Sequence, residues 1–131
     1  MKRQYIIAAV IFLFVGMASR VVTAHHGTAA YDMTKLITVK GMVTQFAWSN
    51  PHAEIHLDVK NDSGAVQAWV VETNSPNVLA RAGWSKSTFK LGDVITVLGY
   101  RAKDGSLIMR LGAPAGKVVL PDGKELLPDS Y

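Results

Sequence analysis

The sequence predicts an all-β fold, a small five-stranded Greek-key barrel of OB type. One short helix lies between strands 3 and 4, and a hairpin closes the C-terminus. Three observations predict it. Short runs rich in β-branched and aromatic residues alternate with a period of two. Clusters of Gly, Pro, Asn and Asp punctuate them. A single helix signature interrupts the series, after the third run. A small open β-sandwich is the runner-up. The barrel is preferred because closure removes the exposed edges that strands this apolar would present. At 131 residues, the chain is the size of one domain.

The first strand is expected over Leu36–Phe46, where Ile37, Val39 and Val43 share one parity and Thr38, Lys40 and Thr44 the other. Gly41 within it suggests a bulge or sharp bend. Trp48-Ser49-Asn50-Pro51 reads as a turn. Ala53–Val59 alternates cleanly, with Ile55, Leu57 and Val59 on one face and Glu54, His56 and Asp58 on the other. Asn61-Asp62-Ser63-Gly64 joins it to a third strand, Ala65–Glu72. Ser75 can cap a helix, Pro76 suits its first position and Gly83 stands past its end. Trp84–Phe89 can add a further short turn. A fourth strand follows at Val94–Tyr100. A Lys103–Ser106 turn then leads to a fifth at Leu107–Leu111. Val118–Leu120 and Lys124–Leu127 flank Pro121-Asp122-Gly123 as the terminal hairpin.

The N-terminus has a different composition. Lys2 and Arg3 precede Tyr5–Met17, 13 residues without a charge, and Val22-Thr23-Ala24 supplies a small-x-small finish. This is the layout of a secretory signal peptide. As a helix the apolar run spans about 20 Å against a hydrocarbon core of about 30 Å, too short for a membrane anchor. Arg20 blocks its extension, and there is no twin arginine, so the general secretory route is expected. The chain divides into a signal peptide (1–24), an arm (25–34) and the barrel (35–131). Periplasmic or secreted localisation follows, with membrane contact only in transit. Removing Lys2, Arg3 and Arg20 leaves 11 basic against 10 acidic residues, so the precursor's basic character is no argument for nucleic acid.

Zero Cys excludes disulfides, thiolate metal sites and thiol catalysis. The 49% apolar and 18% charged composition excludes a disordered chain. No nucleophile elbow, phosphate loop or dinucleotide fingerprint is present, and no catalytic residue is assigned; the chain is read as a non-enzyme. The unusual supply is four histidines, His25, His26, His52 and His56, within 32 residues. Cleavage after Ala24 would start the chain at His25-His26. An α-amine and a neighbouring imidazole chelate through two nitrogens, and a second imidazole completes a planar set that suits Cu(II) best. Such ligands must be deprotonated, so affinity would fall below about pH 6. His25, His26 and His52 are the first metal candidates, for copper or zinc. Glu54 and His56, about 7 Å apart on one strand face, are the second. His52 and His56 as a pair are disfavoured, since four strand residues span about 13 Å. The structural alternative leaves the histidine pair as a solvated end, His52 as a turn residue and His56 as an outward strand residue.

The competing class is an interaction protein that docks an envelope partner through Trp48 and Trp84 and binds no metal. Trp48, Trp69 and Trp84 could form a stacking platform, although tryptophans at this spacing are more often packing.

The His25-His26 start, Trp48-Ser49-Asn50-Pro51-His52, Trp69-Val70-Val71-Glu72, Ser75-Pro76, Arg81-Ala82-Gly83-Trp84 and Leu91-Gly92-Asp93 occur in that order. The chain resembles a family of small exported bacterial proteins of unknown function, over about His25 to Leu126. The resemblance implies an exported β-rich domain with no established activity. It assigns no role to the matching residues His25, His26, Trp48, Asn50, Pro51, His52, Glu72 and Trp84. The family's histidine pair is followed by Ser-Phe where this chain has Gly27-Thr28. A structural clasp, in which His52 or Glu72 fixes the arm by hydrogen bonds, is as compatible with these motifs as metal binding.

Overall fold

The computed structural model describes residues 27–129. A 3-10 turn at Thr28–Ala30 leads into β1 (Tyr31–Ala47), β2 (Glu54–Lys60), β3 (Val66–Glu72), helix α1 (Pro76–Arg81), β4 (Val94–Ala102), β5 (Ile108–Arg110), β6 (Lys117–Val119) and β7 (Glu125–Leu126). The strands pair in the order β1-β2-β3-β5-β4, and β1 also pairs with β4, which closes a five-stranded barrel. The β3–β5 pair is parallel, and β6 and β7 extend from β4 as the terminal hairpin. This is the predicted OB-type architecture, with the short helix between β3 and β4. No described helix is long and apolar enough to cross a membrane.

Closure depends on β1, which serves two partners. Its Leu36–Met42 stretch pairs with β4 and its Met42–Ala47 stretch with β2. A Cβ at Gly41 would lie 2.8 Å from the Val59 Cγ2 atom and 2.9 Å from the Asp58 carbonyl oxygen. The glycine therefore permits the close approach of β1 to β2 at the changeover. The register shift itself falls two residues later, between Val43 and Gln45. Gly41 marks the crossing and not the bulge.

Inward parity follows the sequence pattern. Val39, Val43, Ile55, Leu57, Val71, Ile95, Val97, Met109 and Val118 are buried together. Each fully buried large aliphatic contributes about 1.5–3 kcal/mol. Leu79 of α1 joins them, along with Trp84 and Phe89 from the segment that follows. Helix α1 ends as its punctuation predicts: Gly83 has φ +87°, its N–H donates to the Ala80 carbonyl, and the Trp84 N–H donates to that of Leu79. Its start differs in detail. The Ser75 hydroxyl makes no capping bond, and the Ser75 carbonyl instead accepts from the Val78 and Leu79 N–H groups.

The first strand starts earlier than the alternation indicates. Tyr31 already pairs with Ala102, and the register shifts between Tyr31 and Leu36. That irregularity breaks the period-two signal, so residues 31–34 read as part of the arm although they belong to β1. His25, His26 and the signal-like segment lie outside the described residues.

Candidate functional site

At one edge of the barrel, the ends of β3 and β5, the start of β1 and the β1–β2 connection meet around a single carboxylate, Glu72. The β2–β3 ladder continues past the strand ends and holds this edge in register. The Ala53 N–H donates to the Asn74 carbonyl at 3.0 Å, and the Thr73 N–H donates to the Ala53 carbonyl at 2.9 Å. The buried Thr73 hydroxyl also donates to the Ala53 carbonyl, at 3.0 Å. Ala53 is fully buried, so its neighbour His52 is fixed against the end of β3. His52 Nε2 lies 3.5 Å from Glu72 Oε1.

Two further groups reach the same carboxylate. The Tyr31 hydroxyl donates to Glu72 Oε2 at 2.5 Å. Arg110 stands beside Glu72 in the parallel β3–β5 register, and its guanidinium lies 3.7 Å from Oε1. That guanidinium is itself tied down, donating to the Thr73 carbonyl and to Asn74 Oδ1, each at 2.9 Å. Asn74 Nδ2 donates in turn to the Pro128 carbonyl at 3.0 Å, which ties the C-terminal segment to the edge. Burial, followed by the hydrogen bond to Glu72 and its negative charge, pushes the Tyr31 hydroxyl well above its ordinary value. Tyr31 therefore stays a donor across the physiological range. Beside the Tyr31–Glu72 contact lies a cleft of about 360 Å³, lined by Ala30, Lys103, Asp104, Ser106 and Ile108 among others. The Lys103 N–H donates to the Ala30 carbonyl at 2.9 Å, so the segment before β1 is held by its backbone as well.

Glu54 faces Glu72 directly across β2 and β3. Like charges in that position destabilise a sheet unless each has a counter-group. Glu54 has His56, whose Nε2 lies 3.1 Å from Oε2; Glu72 has Arg110 and His52. The second metal candidates are therefore in contact, as an isolated pair. Among the described residues, no three His, Asp or Glu side chains converge as a metal site would need.

The predicted aromatic residues sit elsewhere. Trp84 is only 3% exposed, packs edge-on to Phe89 and donates its indole N–H to the Leu127 carbonyl. It is a core residue with no face left for a partner. Trp69 points inward as well, under the Arg101 guanidinium 5.4 Å from its ring centre. Trp48 is half-buried and packs edge-on to Phe46. The three indoles form no platform. Sequence reasoning missed Tyr31 and Arg110, since both reach Glu72 through pairings between distant strands.

Residues 13–110 match the sequence profile of DUF6152, a family of unknown function. The chain belongs to this family. The DUF6152 segment ends at Arg110, the last residue of β5, so it contains the whole closed barrel and every member of the Glu72 cluster. The β6–β7 hairpin lies beyond it, which makes the family match shorter at the C-terminus than the motif resemblance suggests. No curated protein matches the chain.

Proposed function

We propose that this DUF6152 chain is an exported, non-catalytic binding module. It holds a divalent d-block cation between the N-terminal histidine pair, His25 and His26, and His52, with Glu72 as an added oxygen ligand. The observation that carries the reading is the position of His52 Nε2 and Glu72 Oε1, 3.5 Å apart, on the carboxylate that also tethers Tyr31. Two donors bound to one tetrahedral ion at about 2.1 Å are separated by about 3.4 Å. The pair has that spacing before any ion arrives, which favours zinc(II). A planar copper(II) set would need the two donors to close by about half an ångström. The pair alone is two ligands, and the arm supplies the rest. His26 is five residues before the Tyr31 tether, within about 17 Å of extended chain. Arg110 opposes the cation at Glu72 but keeps two other acceptors, Thr73 and Asn74, when the carboxylate turns.

Export rests on the basic start, the short apolar run and the Val22-Thr23-Ala24 finish. Mass spectrometry of the protein recovered outside the cytoplasm is expected to give a chain beginning at His25. Calorimetric titration of that chain with Zn(II) and Cu(II) is the test. Binding at least tenfold weaker in His52→Ala supports the site. Affinity unchanged by His52→Ala, or no tighter than that of a generic histidine-tagged control, overturns it. An extra residue before His25 is expected to weaken Cu(II) more than Zn(II), because planar chelation uses the α-amine. Docking through Trp48 and Trp84 has no comparable support, given the burial of Trp84.

A further inference from the structure

A second region, sharing no residue with the histidine site, has the opposite character. Met42, Val66 and Val94 are 43%, 58% and 47% exposed and lie together rather than scattered. They line one groove of about 590 Å³, together with Lys40, Gly41, Asp58 and Lys60. That volume is in the range of small-molecule sites. The register explains the arrangement. Met42 pairs with Asp58 of β2 and with Val94 of β4 at the point where β1 changes partner, and Lys60 pairs with Val66. Lys40 and Lys60 both line this groove, just beyond the last β1–β2 pair, Met42–Asp58. Both lysines are exposed, and neither ammonium group forms an ion pair or hydrogen bond among the described residues. Like charges gathered on one sheet face work against folding. Here they stand at the rim of an apolar trough.

We infer that this groove binds an amphipathic anion, a free acyl-chain carboxylate whose chain lies on Met42, Val66 and Val94 while its head sits between Lys40 and Lys60. Charge decides between possible occupants. The chain's own apolar segment, 5–17, is flanked by Lys2, Arg3 and Arg20, which the two lysines repel. A second copy seated on the same groove would bring four ammonium groups against only two carboxylates, the Asp58 of each copy. An aliphatic chain with one negative end satisfies both halves of the groove, and the half-buried Asp58 beside the lysines disfavours heads carrying more than one charge.

The test is a titration of the purified protein with sodium decanoate below its micelle concentration, read by amide chemical shifts. Decyltrimethylammonium serves as the cationic control and vesicles of anionic phospholipid as the membrane control. Decanoate is expected to shift residues 40–42, 58–60, 66 and 94 and to bind at least tenfold more tightly than decyltrimethylammonium. The double variant Lys40→Gln/Lys60→Gln is expected to lose at least tenfold in decanoate affinity with its melting temperature unchanged or raised. Val66→Ser is expected to weaken decanoate binding without changing the preference for the anion. Shifts centred elsewhere, equal affinity for the cationic amphiphile, an unaffected double variant, or binding to vesicles without binding to monomeric decanoate would each overturn the inference.

Discussion

Around Glu72, a phenol, an imidazole and a guanidinium converge on one carboxylate, and the guanidinium is shared with a backbone carbonyl and an amide. Around Met42, two lysines and Asp58 border exposed apolar side chains, and among the described residues neither ammonium group forms an ion pair. The two regions lie on the same strands, since β1, β2 and β3 each contribute to both sides of the comparison through residues such as Tyr31, Glu54 and Glu72 or Met42, Asp58 and Val66. The difference concerns what each charge does for the fold. A charge whose bonds are satisfied within the chain holds distant strands together, and removing it leaves its partners orphaned. A charge with no partner holds nothing, and its removal is expected to cost the fold nothing.

Arg110→Ala gives the largest effect. It strips a counter-charge from Glu72, which still faces Glu54, and leaves the Thr73 carbonyl and Asn74 Oδ1 without their donor. The expected loss is about 3 kcal/mol. For a domain of this size that lowers the melting temperature by roughly 15 °C. Thermal unfolding followed by circular dichroism measures it. A drop of only a degree or two would mean that the network is ornamental and that the contrast between the two regions fails.

Tyr31→Phe removes one donor from a carboxylate that keeps two other neighbours, so about 1.5 kcal/mol is expected. Its pH dependence sharpens the assignment. Burial first, then Glu72, raises the hydroxyl above its ordinary value near 10, and the folded state favours the protonated form. The stabilisation is therefore complete below the unfolded-state value near 10 and is lost as the pH rises from there through the higher folded value. At about pH 10.5 the folded protein and Tyr31→Phe should show equal phenolate absorbance, while in denaturant they should differ by about three-quarters of one tyrosine's phenolate. A phenolate missing from the folded variant at that pH would show that Tyr31 ionises freely and that its bond to Glu72 does not persist in solution.

These two residues also mark how far the sequence could be read. Strand parity identified inward residues of β1 and β2, because Val39, Val43, Ile55 and Leu57 obey a local alternation set by one buried face. The Ser75-Pro76 and Gly83 signals bracketed α1 for equally local reasons. His52 was recognisable as one of four histidines clustered within 32 residues, just past the Trp48–Pro51 turn. The Glu72 cluster was not legible, although Glu72 itself stood in a motif. Arg110 reaches Glu72 through a parallel pairing, and Tyr31 is placed by pairing with Ala102; neither long-range contact leaves a periodic trace. Trp84 was misjudged because a tryptophan beside a helix end is equally consistent with a docking residue and with a core residue. Its Nε1–H bond to the Leu127 carbonyl, 43 residues away, makes it the latter.

The smallest predicted effect tests the other side of the comparison. Lys60→Ala removes one of the two ammonium groups on this groove and breaks no side-chain hydrogen bond or ion pair among the described residues. Relief of like-charge repulsion between neighbouring lysines is worth a few tenths of a kcal/mol, against a small loss of strand propensity from alanine. Stability is expected to stay within about 0.5 kcal/mol of the parent, on the stabilised side at low salt, with the gain vanishing as salt screens the pair. Urea unfolding at low and at high ionic strength separates the two contributions. If Lys60→Ala instead destabilised the barrel as much as Tyr31→Phe does, the ammonium would be holding the sheet together, and the groove could not be a surface kept free for a ligand.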